Sequence, residues 1–263
     1  MSCSIAGFQW EYAMTTALQL RTAALTIALA TTVLQGCGTS SAARTSAGAD
    51  ESAIAAAVAD PRRPAADIAR DADRKPAELL QFAGLRPGQS VLDFFAGGGY
   101  LTELAYYVVG PSGSITAYNN TGYSAISAKE SATRYGNGRL PGVKQLVSAN
   151  NETDLPAQAY DAALFVMAYH DIYYLDGERG WTRIDTGRLL RELFESLKPG
   201  GSVLVVDHVG PAGMPREKAA PLHRIDPALI KADFAAAGFV LDGEADFLRN
   251  PADQLDVMAM MPA

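Results

Sequence analysis

Apolar positions follow two periodicities along this chain. Beyond residue 76, short β-branched and apolar runs alternate with longer segments whose apolar residues recur every three or four positions. The short runs predict strands and the longer segments predict helices packed by one face. Pro76 opens a helix through Leu79, Leu80 and Phe82, and Gly84 stops it. Strands are predicted over 90–95, 114–118, 143–149, 160–167 and 202–207, with helices over 100–109, 124–135, 188–197 and 227–237. Gly238 caps the last helix. Two final strands, 240–248 and 255–260, are separated by the short turn 249–253 and predict an antiparallel hairpin.

Strands alternating with helices and ending in a hairpin describe an α/β fold, a mostly parallel sheet with helices on both faces. Ligands of such sheets bind beyond the carboxyl ends of the strands, near the topological switch point. The residues following each strand therefore carry the candidate chemistry. Foremost is the stretch Ser-Val-Leu-Asp-Phe-Phe-Ala-Gly-Gly-Gly-Tyr, residues 90–100. Strand, glycine-rich turn and helix bring backbone N–H groups and a helix N-terminus close to a ligand. Gly97, Gly98 and Gly99 lack side chains that would hold a nucleoside-like group away, and Asp93 supplies an acceptor at their edge.

The formal net charge of −7 argues against broad nucleic-acid binding, which needs basic patches. Both cysteines, Cys3 and Cys37, precede the predicted domain, so neither a disulfide framework nor a cysteine zinc site is expected in its body. The N-terminus reads as a targeting segment. From Met14, Arg21 precedes an apolar stretch over 22–34 that ends at Cys37. This suits a signal-peptide core better than a membrane span. The small residue before Cys37 resembles a bacterial lipobox, which implies cleavage there and a lipid on Cys37. On this reading residues 1–37 are a leader with its true start at Met14, 38–60 a flexible linker, and 61–263 the folded domain. The protein is then expected in the bacterial periplasm, tied to a membrane by that lipid anchor only.

The chain resembles the class I S-adenosylmethionine-dependent methyltransferases over roughly residues 76–263. The resemblance rests on residues 91–100, on Leu-Lys-Pro-Gly-Gly-Ser-Val-Leu-Val-Val-Asp at 197–207, and on Ala-Gly-Phe at 237–239. Residues 93–104, His170-Asp171 and 223–227 further resemble exported bacterial predicted methyltransferases of unknown substrate. The resemblance implies a Rossmann-like sheet of seven strands ordered 3-2-1-4-5-7-6, with strand 7 antiparallel. It implies S-adenosyl-L-methionine as cofactor and a small-molecule substrate. Asp93, Ala96, Gly97, Gly98, Gly99, Tyr100, Asn119, Asn150 and Asn151 become the expected cofactor residues. Two positions depart from the pattern. Phe95 stands where the family has its first glycine, and Asn119 where an acidic residue usually grips the ribose. An amide lacks the charge-assisted hydrogen bonds of a carboxylate, so cofactor affinity is reduced or the ribose is held differently.

His170 and Asp171 follow the fourth strand, where this fold usually meets its acceptor, and are the expected catalytic pair. An imidazole titrates near neutral pH and suits proton removal from an O or N nucleophile. Tyr169, Tyr173, Tyr174, His208 and His223 are expected to line the substrate pocket. Three histidines with Asp171 and Asp207 at one rim could serve a divalent metal, but no ligand spacing supports a site, and none is expected. The competing reading is an exported, non-catalytic binding module on a degenerate methyltransferase fold, favoured by Phe95, Asn119 and the export signal. A nicotinamide-dependent dehydrogenase is disfavoured by the absent Gly-x-Gly-x-x-Gly.

Overall fold

The computed structural model describes residues 1–10 and 48–259. The chain opens with β1 (Cys3–Trp10), then α1 (Glu51–Val58), α2 (Ala65–Ile68), α3 (Asp71–Arg74) and α4 (Pro76–Phe82). Next come β2 (Ser90–Phe94), α5 (Tyr100–Val109), β3 (Ser114–Asn120), α6 (Thr121–Tyr135), β4 (Val143–Ser148) and β5 (Tyr160–Val166). It ends with α7 (Thr186–Ser196), β6 (Leu197–His208), α8 (Ala219–Leu222), α9 (Pro227–Ala236) and β7 (Phe239–Ala245). The sheet order is β4-β3-β2-β5-β6-β1-β7. Strands β2 to β6 pair in parallel, and β1 runs antiparallel between β6 and β7.

Counted from β2, this is the expected 3-2-1-4-5-7-6 arrangement, with the antiparallel strand second from one edge. That place is filled from the opposite end of the chain. The C-terminal hairpin is corrected: β7 forms, but residues 255–259 make turns, and Met260 lies outside the described residues. Pro251 brings no N–H to a ladder, and Asp253 is drawn to the buried guanidinium of Arg224. Instead Cys3 pairs with His208 through to Gln9 with Ser202, while Ile5 to Trp10 pair along β7.

Cys3–Trp10, which the sequence reading places in the 1–37 leader segment and ahead of its expected start at Met14, is thus corrected to a sheet strand. The apolar stretch 22–34 and Cys37 lie outside the described residues. The expected linker is also shortened, because α1 packs Ile54 and Ala57 into the core, with Asp50 capping it at the Ala53 amide. The alanines of 51–59 favour a helix there, as their composition allows. No described helix is long and apolar enough to cross a membrane.

Side chains alternate between two cores, one on each face of the sheet. Cys3, Ile5, Val91, Leu164, Leu204 and Val206 face α1, α4 and α5. Ala6, Phe8, Leu92, Phe94, Phe165, Val203 and Val205 face α7 and α9. Burial on both faces explains the near-continuous apolar runs in the sequence. The open rim lies at the carboxyl ends of β5 and β6.

Candidate functional site

The turn after β2 is built by close approach. Gly99 has φ +81°, and a Cβ there would fall 2.2 Å from the Tyr135 hydroxyl; at Gly98 it would fall 2.0 Å from Glu130 Oε2. These two glycines are required because α6 presses on the turn. Gly97 differs, since a Cβ there would meet nothing within 4 Å. Asn119 clasps it from β3: Gly97 N–H donates to Oδ1 at 2.9 Å, and Nδ2 donates to the Gly97 carbonyl at 3.1 Å. The side chain expected to grip a ribose is therefore engaged in shaping the turn. Ala96 closes the same turn by donating its N–H to the Tyr118 carbonyl. Asp93 is buried and accepts from Thr102 Oγ1 at 2.6 Å; burial pushes its carboxyl up to about 6.

A cavity of about 1080 Å³ opens at the rim, bordered by the first turn of α5 and the turn after β5. Of the expected cofactor residues, Tyr100 lines it; Asp93, Ala96, Gly97, Gly98, Gly99, Asn119, Asn150 and Asn151 do not. Asn150 accepts from Asn120 and donates to the Thr182 carbonyl, and Asn151 donates to the Arg183 carbonyl. Both tie the turn after β4 to residues 182–185. Tyr100 donates its hydroxyl to Asp71 at 2.6 Å, and the Arg74 guanidinium lies 4.9 Å from its ring centre.

The three histidines gather on this cavity. His170 is 3% exposed, with Nδ1 2.7 Å from Oδ1 of the fully buried Asp207. A carboxylate only accepts, so Nδ1 carries the proton. The same aspartate accepts from the backbone N–H groups of His170 and His208, which leaves it rigid. On the other side, His170 Nε2 lies 3.0 Å from His223 Nδ1 and 3.4 Å from Asp171 Oδ1. Asp171 Oδ2 accepts from the buried hydroxyl of Tyr123. Burial opposes charge on His170, but Asp207 outweighs it and raises the pKa above the ordinary value. Burial and the facing His170 lower that of His223. His208, 3.4 Å from the Cys3 thiol, is pushed down to about 4 by burial.

The tyrosines divide. Tyr174 lines the cavity, edge-on to Trp181. Tyr169 and Tyr173 do not line it; both donate to Asp233 at 2.9 Å and anchor α9. Sequence reasoning missed Tyr123, Trp181 and Arg74 on the walls, because they lie on helices or loops away from any motif. Among the left-handed non-glycine residues are Phe95 (φ +54°) and Met167 (φ +56°), just past β2 and β5, and His223 (φ +47°), which caps the C-terminus of α8. Each costs about 1–3 kcal/mol, and such strain clusters at functional sites. Phe95 occupies the conformation a glycine would take freely. Its ring offsets the strain by stacking near Phe94, Tyr118 and Tyr123.

No family model matches the chain. It is 28% identical over 141 residues to the ubiquinone/menaquinone biosynthesis C-methyltransferase of Cronobacter sakazakii, covering 53% of this chain and 51% of that protein. The match thus spans about half the length of that curated relative. Among solved structures, it is similar to an S-adenosylmethionine-dependent methyltransferase from Aquifex aeolicus, at 21% identity and a TM-score of 0.49. That superposition covers 72% of this chain and 88% of the other. The [4+2]-cyclase SpnF is also similar, at 23% identity, a TM-score of 0.46, and 64% and 56% coverage.

Proposed function

We propose that this chain transfers a methyl group from S-adenosylmethionine to a small-molecule acceptor held at the rim cavity. The observation that carries the reading is the cavity itself, at the carboxyl ends of β5 and β6 and against the first turn of α5, which the glycine turn leads into. Space, an aromatic wall and a fixed turn fit an adenosyl compound. The ribose grip usual for the fold is not available, since both polar atoms of Asn119 are on Gly97. Tyr100, Leu101 and Met167 would hold the cofactor by contact, and Asn119 acts through the turn. When bound, the cofactor supplies a methyl group on a positively charged sulfur.

The chain's own part is mainly alignment in a site shielded from water. An O–H or N–H acceptor must lose its proton as it attacks. His223, partly exposed on the cavity, meets that proton; the buried His170 stands behind it. A proton taken at His223 Nε2 lets Nδ1–H pass to His170 Nε2, where Asp207 stabilises the resulting imidazolium. His170 is therefore a positioning residue, and His223 touches the acceptor. The test is acceptor-dependent formation of S-adenosylhomocysteine, followed by mass spectrometry over a panel of phenols, amines and thiols. His223→Gln is expected to lower turnover with little change in cofactor binding. No acceptor-dependent product across the panel, together with no cofactor binding, overturns the reading.

A further inference from the structure

We infer that His170, Asp171 and His223 form a binding site for a divalent zinc-class cation, with a fourth position open to the cavity. The three candidate ligand atoms are His170 Nε2, His223 Nδ1 and Asp171 Oδ1, separated by 3.0, 3.4 and 3.8 Å. Tetrahedral zinc with bonds of about 2.0–2.1 Å sets its ligands roughly 3.3 Å apart. The observed triangle straddles that edge length. Two imidazoles and one carboxylate also match the donor set of open zinc sites, which keep a position for water or substrate.

The surroundings aim these atoms at one point. Asp207 accepts the hydrogen bond of His170 Nδ1–H and so leaves Nε2 with its lone pair outward. Tyr123 engages Oδ2 of Asp171 and leaves Oδ1 free. His223 is turned inward by a left-handed backbone, which a residue other than glycine adopts at a penalty. Among the described residues, the three ligand atoms have no hydrogen-bond or ion-pair partner but one another. A buried carboxylate behind a ligating histidine is the usual outer support of a metal site. The open position faces the cavity, where a hydroxyl or thiol of the acceptor could bind and be acidified. A cation there replaces the proton shared by the two histidines, so the metal form and the proton relay are two states of one site.

The test uses the full chain, freed of metal by chelator and measured without cofactor or acceptor, so its outcome is independent of methyl transfer. Zinc is titrated in competition with a chromophoric chelator, and Co²⁺ is added as a spectroscopic substitute. One equivalent of zinc and the strong visible absorption of four-coordinate Co²⁺ are expected. His223→Ala and Asp171→Asn should each weaken zinc at least a hundredfold, and Asp207→Asn about ten- to a hundredfold. Circular dichroism checks the fold of each variant; if His223→Ala fails to fold, the near-isosteric Asp171→Asn decides. Absence of stoichiometric binding overturns the inference. So does affinity that survives both ligand variants, or that is lost instead in His208→Ala or Cys3→Ser.

Discussion

Replacing Phe8 by alanine tests whether the N-terminal strand belongs to the sheet. The Phe8 ring is 1% exposed, stacks on Phe234 at 4.3 Å between centroids and meets the edge of Phe239 at 6.4 Å. Truncating so buried a phenylalanine removes its transfer free energy and leaves a cavity, together about 3–5 kcal/mol. For a domain of this size that is a fall in melting temperature of roughly 10 °C. Guanidinium unfolding followed by far-ultraviolet circular dichroism reads the change directly. Val240→Ala, at a position 45% exposed on β7, serves as control and should stay within about 0.5 kcal/mol. If Phe8→Ala is as silent as the control, β1 is not docked between β6 and β7, and the strand order described above is wrong.

Three further outcomes are expected. Asp93, with its carboxyl raised to about 6 in the folded chain against an ordinary 3.8, binds a proton more tightly when folded. Stability is therefore greatest below about pH 4 for this group and is lost as pH rises to about 6, by about 3 kcal/mol; Asp93→Asn should abolish that part of the pH profile. Asn119→Asp removes the donor to the Gly97 carbonyl and sets a carboxylate against it, so the fold should lose about 1–3 kcal/mol in thermal unfolding. Arg224, 1% exposed, pairs both terminal guanidinium nitrogens with Asp253 at 2.8–2.9 Å and reaches the carbonyls of Val209 and Val257. Arg224→Met strands Asp253 and should destabilise the chain by about 3–5 kcal/mol in the same denaturation assay.

Much of the architecture was legible because buried parallel strands write themselves as apolar runs. The strand, glycine turn and helix at 90–109 follow from sequence, as do β3 to β6 and the helices capped by Asp185 and Asp226. β1 was hidden for a physical reason. Cys3 and Ile5 serve one core while Ala6 and Phe8 serve the other, but Ser4 and Gly7 interrupt the apolar run that marks the other buried strands. The site was legible in residue type and illegible in partnership. His170 and Asp171 stood out on their loop, yet the groups that orient them come from Asp207, Tyr123 and His223, far along the chain. Asn119 stands out for its place at the carboxyl end of β3, but its hydrogen bonds are to the glycine turn. Local pattern names a side chain; only the fold decides which atom it spends its bonds on.

Calorimetric titration of the full chain with S-adenosylhomocysteine tests the central claim most directly, since it asks only whether the rim cavity accepts an adenosyl compound. One site of micromolar affinity is expected, weakened when Leu101→Trp fills the cavity wall in a variant that still folds. No heat of binding up to millimolar ligand, or binding indifferent to that substitution, would contradict it.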